Sequence, residues 1–257
     1  MKKLVKVTLS AAMIATLTAC GSSSSTTSNG KKTVTINIAT SPDYAPYESL
    51  DKKGNIVGFD ADMVKLFPSY LNDKNTTYKF KWNQMSFDNI VSQVQAGQVD
   101  VGVSGFTYDK KRKVEWSDPY TATAQVAVVN KNSKIKTVKD LEGKKLAAQS
   151  GSTGEKAAKA VKNAKVSSVS NAQEIFSALT ANQYDAVVVD LAVANNYAKA
   201  QNFKVLSQSL LDEKNYIIAK QGNKKMINLM NKALTKFLAS QDYKKLTDKY
   251  GLKKLEK

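Results

Sequence analysis

Arg112 is the only arginine in a chain of 257 residues; the other 38 basic residues (39 − 1) are lysine. It sits in YDKKRKVEWSDPY, residues 108–120. A guanidinium is a planar fork that meets a carboxylate with two parallel hydrogen bonds, which a lysine ammonium cannot do. Arg112 therefore reads either as an anion clamp or as one more solvated base in the run KKRK. Two other stretches carry matching chemistry. QSGSTG, residues 149–154, lies between an expected strand over 145–148 and an expected helix from about Glu155. Free N–H groups at such a helix start favour an anion, or are simply capped by Ser152 or Thr153. The loop lacks the Gly-Lys-Ser/Thr ending of a phosphate loop. Asp190 ends the apolar run 186–189. An acid at the carboxyl end of a strand points into the crevice where α/β proteins bind ligands, or caps the helix that follows, here 191–200.

The chain has no histidine, and its single cysteine is Cys20. A histidine-based triad, a Cys-His dyad, the common zinc sites and an intrachain disulfide are thereby excluded. A metal held only by carboxylates stays open, but no Asp/Glu-rich loop has calcium-binding spacing; no metal and no cofactor are expected. The formal charge of +17 could suggest a polyanionic partner. The lysines are spread from Lys31 to Lys257, however, with no basic run interleaved with aromatics. A solvated Lys-rich surface is the reading, and no nucleic-acid partner is expected.

The first residues read as an address. MKKLVK is a basic start, and residues 7–17 form an apolar stretch too short to span a bilayer. LTACG, residues 17–21, resembles the bacterial lipobox, which implies a lipidated Cys20 as mature N-terminus and cleavage of 1–19. GSSSSTTSNGKK, residues 21–32, has nothing to bury, so 20–32 is expected to be a flexible tether.

Elements that could position Arg112 and Asp190 follow from Thr33 onward. Strands are expected at 34–39, 78–82 and 101–103, and helices at 61–70 and 87–96, with Pro68 kinking or ending the first. This rhythm points to an α/β protein with mostly parallel sheets. AGQVDVGV (96–103) echoes ANQYDAVV (181–188), each after an amphipathic helix and before an apolar strand. Two similar lobes explain the echo. Residues 121–129 could cross from one lobe to the other and 211–219 could return, leaving helices at 226–239 and 242–250 to the first lobe. Two crossings make a hinge, with a ligand crevice between the lobes. The expected division is lobe 1 over 33–122 and 213–257, and lobe 2 over 123–212.

Residues 41–63 (SPDYAPYESLDKKGNIVGFDADM), 105–120, 147–155 and 184–190 resemble, in order, the motifs of bacterial extracellular solute-binding proteins for polar amino acids. The resemblance covers about residues 33–252 and implies a type II periplasmic-binding-protein fold. It further implies a monomeric, lipid-anchored receptor on the outer face of the cell membrane. Such a receptor closes on a free amino acid and hands it to an ABC permease with its ATPase, without chemistry of its own. Ala61 departs from the larger aliphatic residue usual in the family, as does Pro68 in the helix.

The resemblance also implies roles. Arg112 clamps the α-carboxylate, with Thr107 and with Ser152 and Thr153 from the second lobe. Gly105 supplies a backbone acceptor, and Asp190 accepts from the α-ammonium. Burying either end of a zwitterion unpaired would cost several kcal/mol. Tyr44 and Phe87 form aromatic walls beside the ligand side chain, although a lone aromatic is more often core. Ser41 stands where some basic-amino-acid receptors carry an acid. It is neutral, and Asp43 and Glu48 are close by, so a glutamine-like and a basic ligand both remain open. Competing readings are an enzyme on the same fold, dehydratase-like and acting on a small carboxylate, and a ligand-sensing partner of a signalling protein.

Overall fold

The computed structural model describes residues 24–26 and 31–256. The expected signal segment and Cys20 lie outside the described residues. Strand β1 (Ser24–Thr26) falls inside the stretch expected as a tether and pairs antiparallel with β2 (Lys32–Thr40). Strands β3 (Asp43–Tyr44), β4 (Glu48–Leu50) and β5 (Ile56–Val57) form a small antiparallel sheet of their own.

Helix α1 (Phe59–Leu71) starts earlier than its apolar pattern suggests, behind Gly58. Gly58 has φ 131°, and a Cβ there would lie 2.3 Å from the Tyr47 carbonyl oxygen, so only glycine fits the turn. Pro68 sits inside α1, neither ending it nor standing outside it. It removes one hydrogen bond close to the end, while Phe59, Met63, Val64, Phe67 and Leu71 stay buried on one face. That apolar stripe outweighs one missing bond.

The remaining elements alternate as expected. They are β6 (Thr76–Gln84), α2 (Phe87–Ala96), β7 (Val101–Thr107), β8 (Val114–Trp116), β9 (Thr121–Asn130), β10 (Lys145–Gln149), α3 (Thr153–Lys159), β11 (Lys165–Val169), α4 (Ala172–Thr180), β12 (Ala186–Asp190), α5 (Leu191–Ala200), β13 (Phe203–Lys220), α6 (Lys224–Leu238) and α7 (Gln241–Tyr250). Strand β7 is longer than the expected 101–103, so Gly105 and Thr107 lie within it and not after it.

Parallel pairs form the centre of each lobe: β6–β2–β7 in one and β11–β10–β12 in the other. Both belong to one ten-stranded mixed sheet, because β9 and β13 run antiparallel through its middle. β13 has 18 residues. It pairs with β9 from Phe203 to Asn215 and with β7 from Asn215 to Ala219. These are the two crossings. At the C-terminus, α6 and α7 pack on α1, with Phe237 and Tyr250 edge-on to Phe59.

The internal echo has a structural basis. Gly97 and Asn182 occupy the same place after α2 and α4 and both adopt left-handed backbone, φ 73° and 56°, a conformation that glycine and asparagine tolerate best. The echoed aspartates then do the same work. The Asp100 carboxylate accepts from the backbone N–H of Asn37 at 2.7 Å, and that of Asp185 from Lys145 at 2.8 Å, each at a neighbouring parallel strand.

Candidate functional site

The two crossing strands carry a polar ladder on one face. Residues i and i+2 of a strand share a face. On β9 these are Thr121, Thr123 and Gln125, all buried. On β13 they are Glu213 and Asn215, and the register sets Asn215 against Thr121 and Glu213 against Thr123. A buried polar row in the strands that join two lobes demands partners, and the crevice supplies them.

One end of the row is built around Arg112. Its Nη1 donates to the Thr107 carbonyl at 2.8 Å, and its Nη2 to the Gly151 carbonyl at 2.7 Å, from the other lobe. The guanidinium lies 5.6 Å from the ring centre of Phe87 and 5.3 Å from that of Phe106, which stack on each other. Beside it, the hydroxyls of Thr107 and Thr153 meet across the lobes at 2.6 Å. Thr153 donates to Glu213 Oε2 at 2.8 Å, and Gln125 Nε2 to the same oxygen at 2.9 Å. Burial raises the Glu213 carboxyl above its ordinary range, opposed by these hydrogen bonds and by Arg112.

The other end is built around Asp190, buried at the end of β12. Oδ2 accepts from Thr123 at 2.6 Å, and Oδ1 from Tyr47 at 3.1 Å and from the Ala192 N–H at 2.9 Å. It thus caps α5 and faces the crevice at once. Burial pushes its pKa up to about 6, against the pull of those donors. Tyr44 stacks beside Tyr47, and its hydroxyl accepts from the Asp190 N–H at 3.2 Å. Asn215 joins Gly105 to the Asp190 end: its amide donates to the Gly105 carbonyl at 3.0 Å, and its oxygen accepts from Thr121 at 2.7 Å and shares the Tyr47 hydroxyl proton with Asp190.

Ser41 is buried and donates to Asp43 Oδ1 at 2.8 Å. Asp43 in turn accepts from Gln149 Nε2 at 3.0 Å and from the Ala172 N–H, at the start of α4, at 2.7 Å. The acid therefore lies next to the neutral Ser41. Burial, the largest influence, raises its pKa.

Of the expected residues, Arg112, Thr107 and Thr153 form one cluster, and Asp190 and Tyr44 another, with Gly105 joined to the second through Asn215. Ser152 stands slightly apart as the N-cap of α3, accepting from the Glu155 N–H at 3.0 Å. Phe87 stacks on Phe106 and lies beside the Arg112 guanidinium, 7% exposed where Tyr44, the other expected wall, is 8% exposed. Glu213, Asn215, Gln125, Thr123 and Tyr47 were not expected. Thr123 and Gln125 had a signal in TATAQ, where polar residues recur at every second place; DEKNY is polar throughout and singles out neither Glu213 nor Asn215, and Tyr47 lies in neither stretch.

The family of bacterial extracellular solute-binding proteins, family 3, matches residues 36–253. The chain belongs to this family. Among its members, the arginine-binding extracellular protein ArtP of Bacillus subtilis (strain 168) is 30% identical over 260 residues, covering 97% of this chain and 98% of its own. Of solved structures, an ancestral arginine-binding protein bound to arginine superposes with a TM-score of 0.77 at 34% identity, over 84% of this chain and 97% of its own. The ancestral amino acid-binding protein AncCDT-1, a precursor of cyclohexadienyl dehydratase, gives 0.77 at 32% identity, over 84% and 95%. The expected fold, two α/β lobes of the type II periplasmic-binding class, is therefore established for this solute-binding protein. Among the described residues, no helix is long and apolar enough to cross a membrane, and no group of histidine, cysteine, aspartate and glutamate could hold a metal ion.

Proposed function

We propose that the protein is a receptor for a free amino acid with a cationic side chain, held between the lobes and delivered to an ABC permease. The observation that carries this reading is the pairing of half-sites across the crevice: Arg112 and Thr107 from one lobe against Thr153 and Gly151 from the other, with Asp190 nearby. Arg112, Thr107 and Thr153 hold the α-carboxylate, and Asp190 with the Gly105 carbonyl holds the α-ammonium. The lobes divide at about residues 122 and 212, where β9 and β13 cross. Charge favours the basic class of ligand. Asp43, Asp190 and Glu213 line the site against the single guanidinium of Arg112, and a ligand bearing a net positive charge offsets that excess. The similarity to arginine-binding proteins supports the same choice.

Titration calorimetry of the purified protein with each of the twenty amino acids tests this. We expect micromolar or tighter binding of one or a few, with the cationic ones ahead. Heat from none would overturn the receptor reading. Heat only from neutral ones would overturn the preference.

Anchoring on the outer face of the membrane through lipid on Cys20 belongs to the same proposal. Cys20→Ser should release the protein into the soluble fraction and leave affinity unchanged. A membrane-bound Cys20→Ser protein would remove the anchor.

A second reading, an enzyme on this fold, has one observation in its favour. A buried carboxyl such as Asp190, pushed to about 6, is suited to general acid–base work. Turnover of a small carboxylate by the purified protein would replace the receptor reading with this one.

A further inference from the structure

Beneath the crevice two buried carboxyl groups are held by neighbouring residues of β7. Glu48, on β4, and Asp60, in the first turn of α1, are both fully buried at 0% exposure. Half of each group is satisfied. Glu48 Oε1 accepts from the Ser104 hydroxyl at 2.7 Å. Asp60 Oδ2 accepts from the Gly105 N–H and from the Tyr120 hydroxyl, both at 3.2 Å. The other two oxygens, Glu48 Oε2 and Asp60 Oδ1, are buried and find no donor. The two carboxyls hang from adjacent residues of β7, Ser104 and Gly105, and α1 packs on β4, which brings them together.

Two ionised carboxylates cannot rest in that arrangement. Each would bury an unpaired charged oxygen, and the like charges would repel. A single proton removes both problems: it turns one orphan oxygen into a donor and the other into its acceptor, and leaves one negative charge in place of two. We propose that Glu48 and Asp60 share one proton, and that this hydrogen-bonded pair positions the ligand-facing turn of β7.

The path from the pair to the site is short. Ser104 donates to Glu48 and accepts the Ser41 N–H at 3.1 Å. Gly105, in left-handed backbone at φ 55°, is pinned by its N–H to Asp60 and by its carbonyl to Asn215. Ser41 and Gly105, both expected at the ligand, thus hang from the pair. The ionisable groups acting on it are the phenols of Tyr47 and Tyr120, Asp43 from β3 and Asp190 from β12; none is a cation. Burial raises both carboxyls, Glu48 well above its ordinary range and Asp60 to about 6.

Infrared spectroscopy of the purified protein at about pH 8 reads the proton directly, because Asp190, at about 6, is then ionised. The wild type should show a carboxylic-acid carbonyl stretch that shifts in heavy water. Glu48→Gln and Asp60→Asn each keep a hydrogen bond between the two side chains, and each should abolish that band. A wild-type spectrum without the band, or a band retained in both variants, would overturn the shared proton. If Glu48→Gln does not fold, the wild type and Asp60→Asn carry the decision.

The positioning role rests on the receptor reading and is tested by titration with the amino acid that binds best. Glu48→Gln should bind within about threefold of wild type. Glu48→Leu leaves the Ser104 hydroxyl without its acceptor and Asp60 Oδ1 without a donor, and should bind about tenfold more weakly or worse. Equal affinities for the Gln and Leu variants would refute positioning. A wild type that binds no amino acid would refute the receptor reading alone, since the infrared band does not depend on a ligand.

Discussion

Replacing Arg112 by lysine keeps the charge and removes the fork. Arginine has five N–H donors; two go to the Thr107 and Gly151 carbonyls, so three remain for a ligand carboxylate. A lysine ammonium has three donors in all, at one point, and cannot serve both carbonyls and a bidentate carboxylate. The ligand then loses one charge-assisted hydrogen bond, about 1.5–3 kcal/mol. Packing of the planar cation over Phe87 and Phe106 contributes about another 0.5–1 kcal/mol. The sum, about 2–4 kcal/mol, corresponds to a loss of roughly 30-fold to 1,000-fold in affinity. Calorimetric titration of Arg112→Lys measures it, with a thermal melt to confirm an intact fold. An affinity within about threefold of wild type would refute the clamp and make Arg112 a tie between lobes only.

Asp190 gives a pH dependence of opposite sign for binding and stability. Its pKa is raised from 3.8 to about 6. The stability it contributes is complete below the unfolded value and is lost as pH rises through about 6. The unliganded protein should therefore melt higher at about pH 5 than at about pH 7, and Asp190→Asn should reduce that difference. Binding needs the carboxylate, so affinity should fall about tenfold over the same acidification; an unchanged affinity would remove Asp190 from the ammonium site. Asp190→Asn should weaken binding at neutral pH by about 100-fold or more. Gly58→Ala should cost several kcal/mol or prevent folding, since its Cβ meets the Tyr47 and Pro46 carbonyls at 2.3 and 2.9 Å; a melting temperature equal to wild type would show that the turn can shift.

Local signals carried much of the architecture. Helices α2 and α4 were legible from their apolar faces, and the echo between them marked a repeated unit because the same turn and the same aspartate contact recur. Arg112 and Asp190 stood out because their chemistry is unusual in this sequence and their places match a family pattern. Pro68 stays inside α1, three residues before its end, since proline reports a lost hydrogen bond and says nothing of the apolar face that compensates it. The polar ladder stayed hidden for a different reason. Thr121, Thr123 and Gln125 mean little until the register of β13 sets Glu213 and Asn215 beside them, and register between strands 80 to 95 residues apart is not a local property. The sequence places Asp43 close to Ser41 but not its direction; the hydrogen bonds from the Ser41 hydroxyl and the Ala172 N–H fix it, and both partners depend on tertiary packing.

The ladder bears on how binding and lobe movement are linked. Arg112 reaches the Gly151 carbonyl across the crevice, and Asp43 accepts from the first N–H of α4 in the opposite lobe. When the lobes part, water replaces these partners, so each such bond contributes only about 0.5–3 kcal/mol to closure. Glu213 differs, because it belongs to the bending strand itself. Its carboxylate takes the Thr153 hydroxyl, which the proposed ligand carboxylate also needs. A ligand carboxylate that takes over that hydroxyl leaves Glu213 with Gln125 as its donor, at 2.9 Å. Under the proposed function, ligand binding would then be felt in the strand that joins the lobes, through the exchange of partners at Glu213.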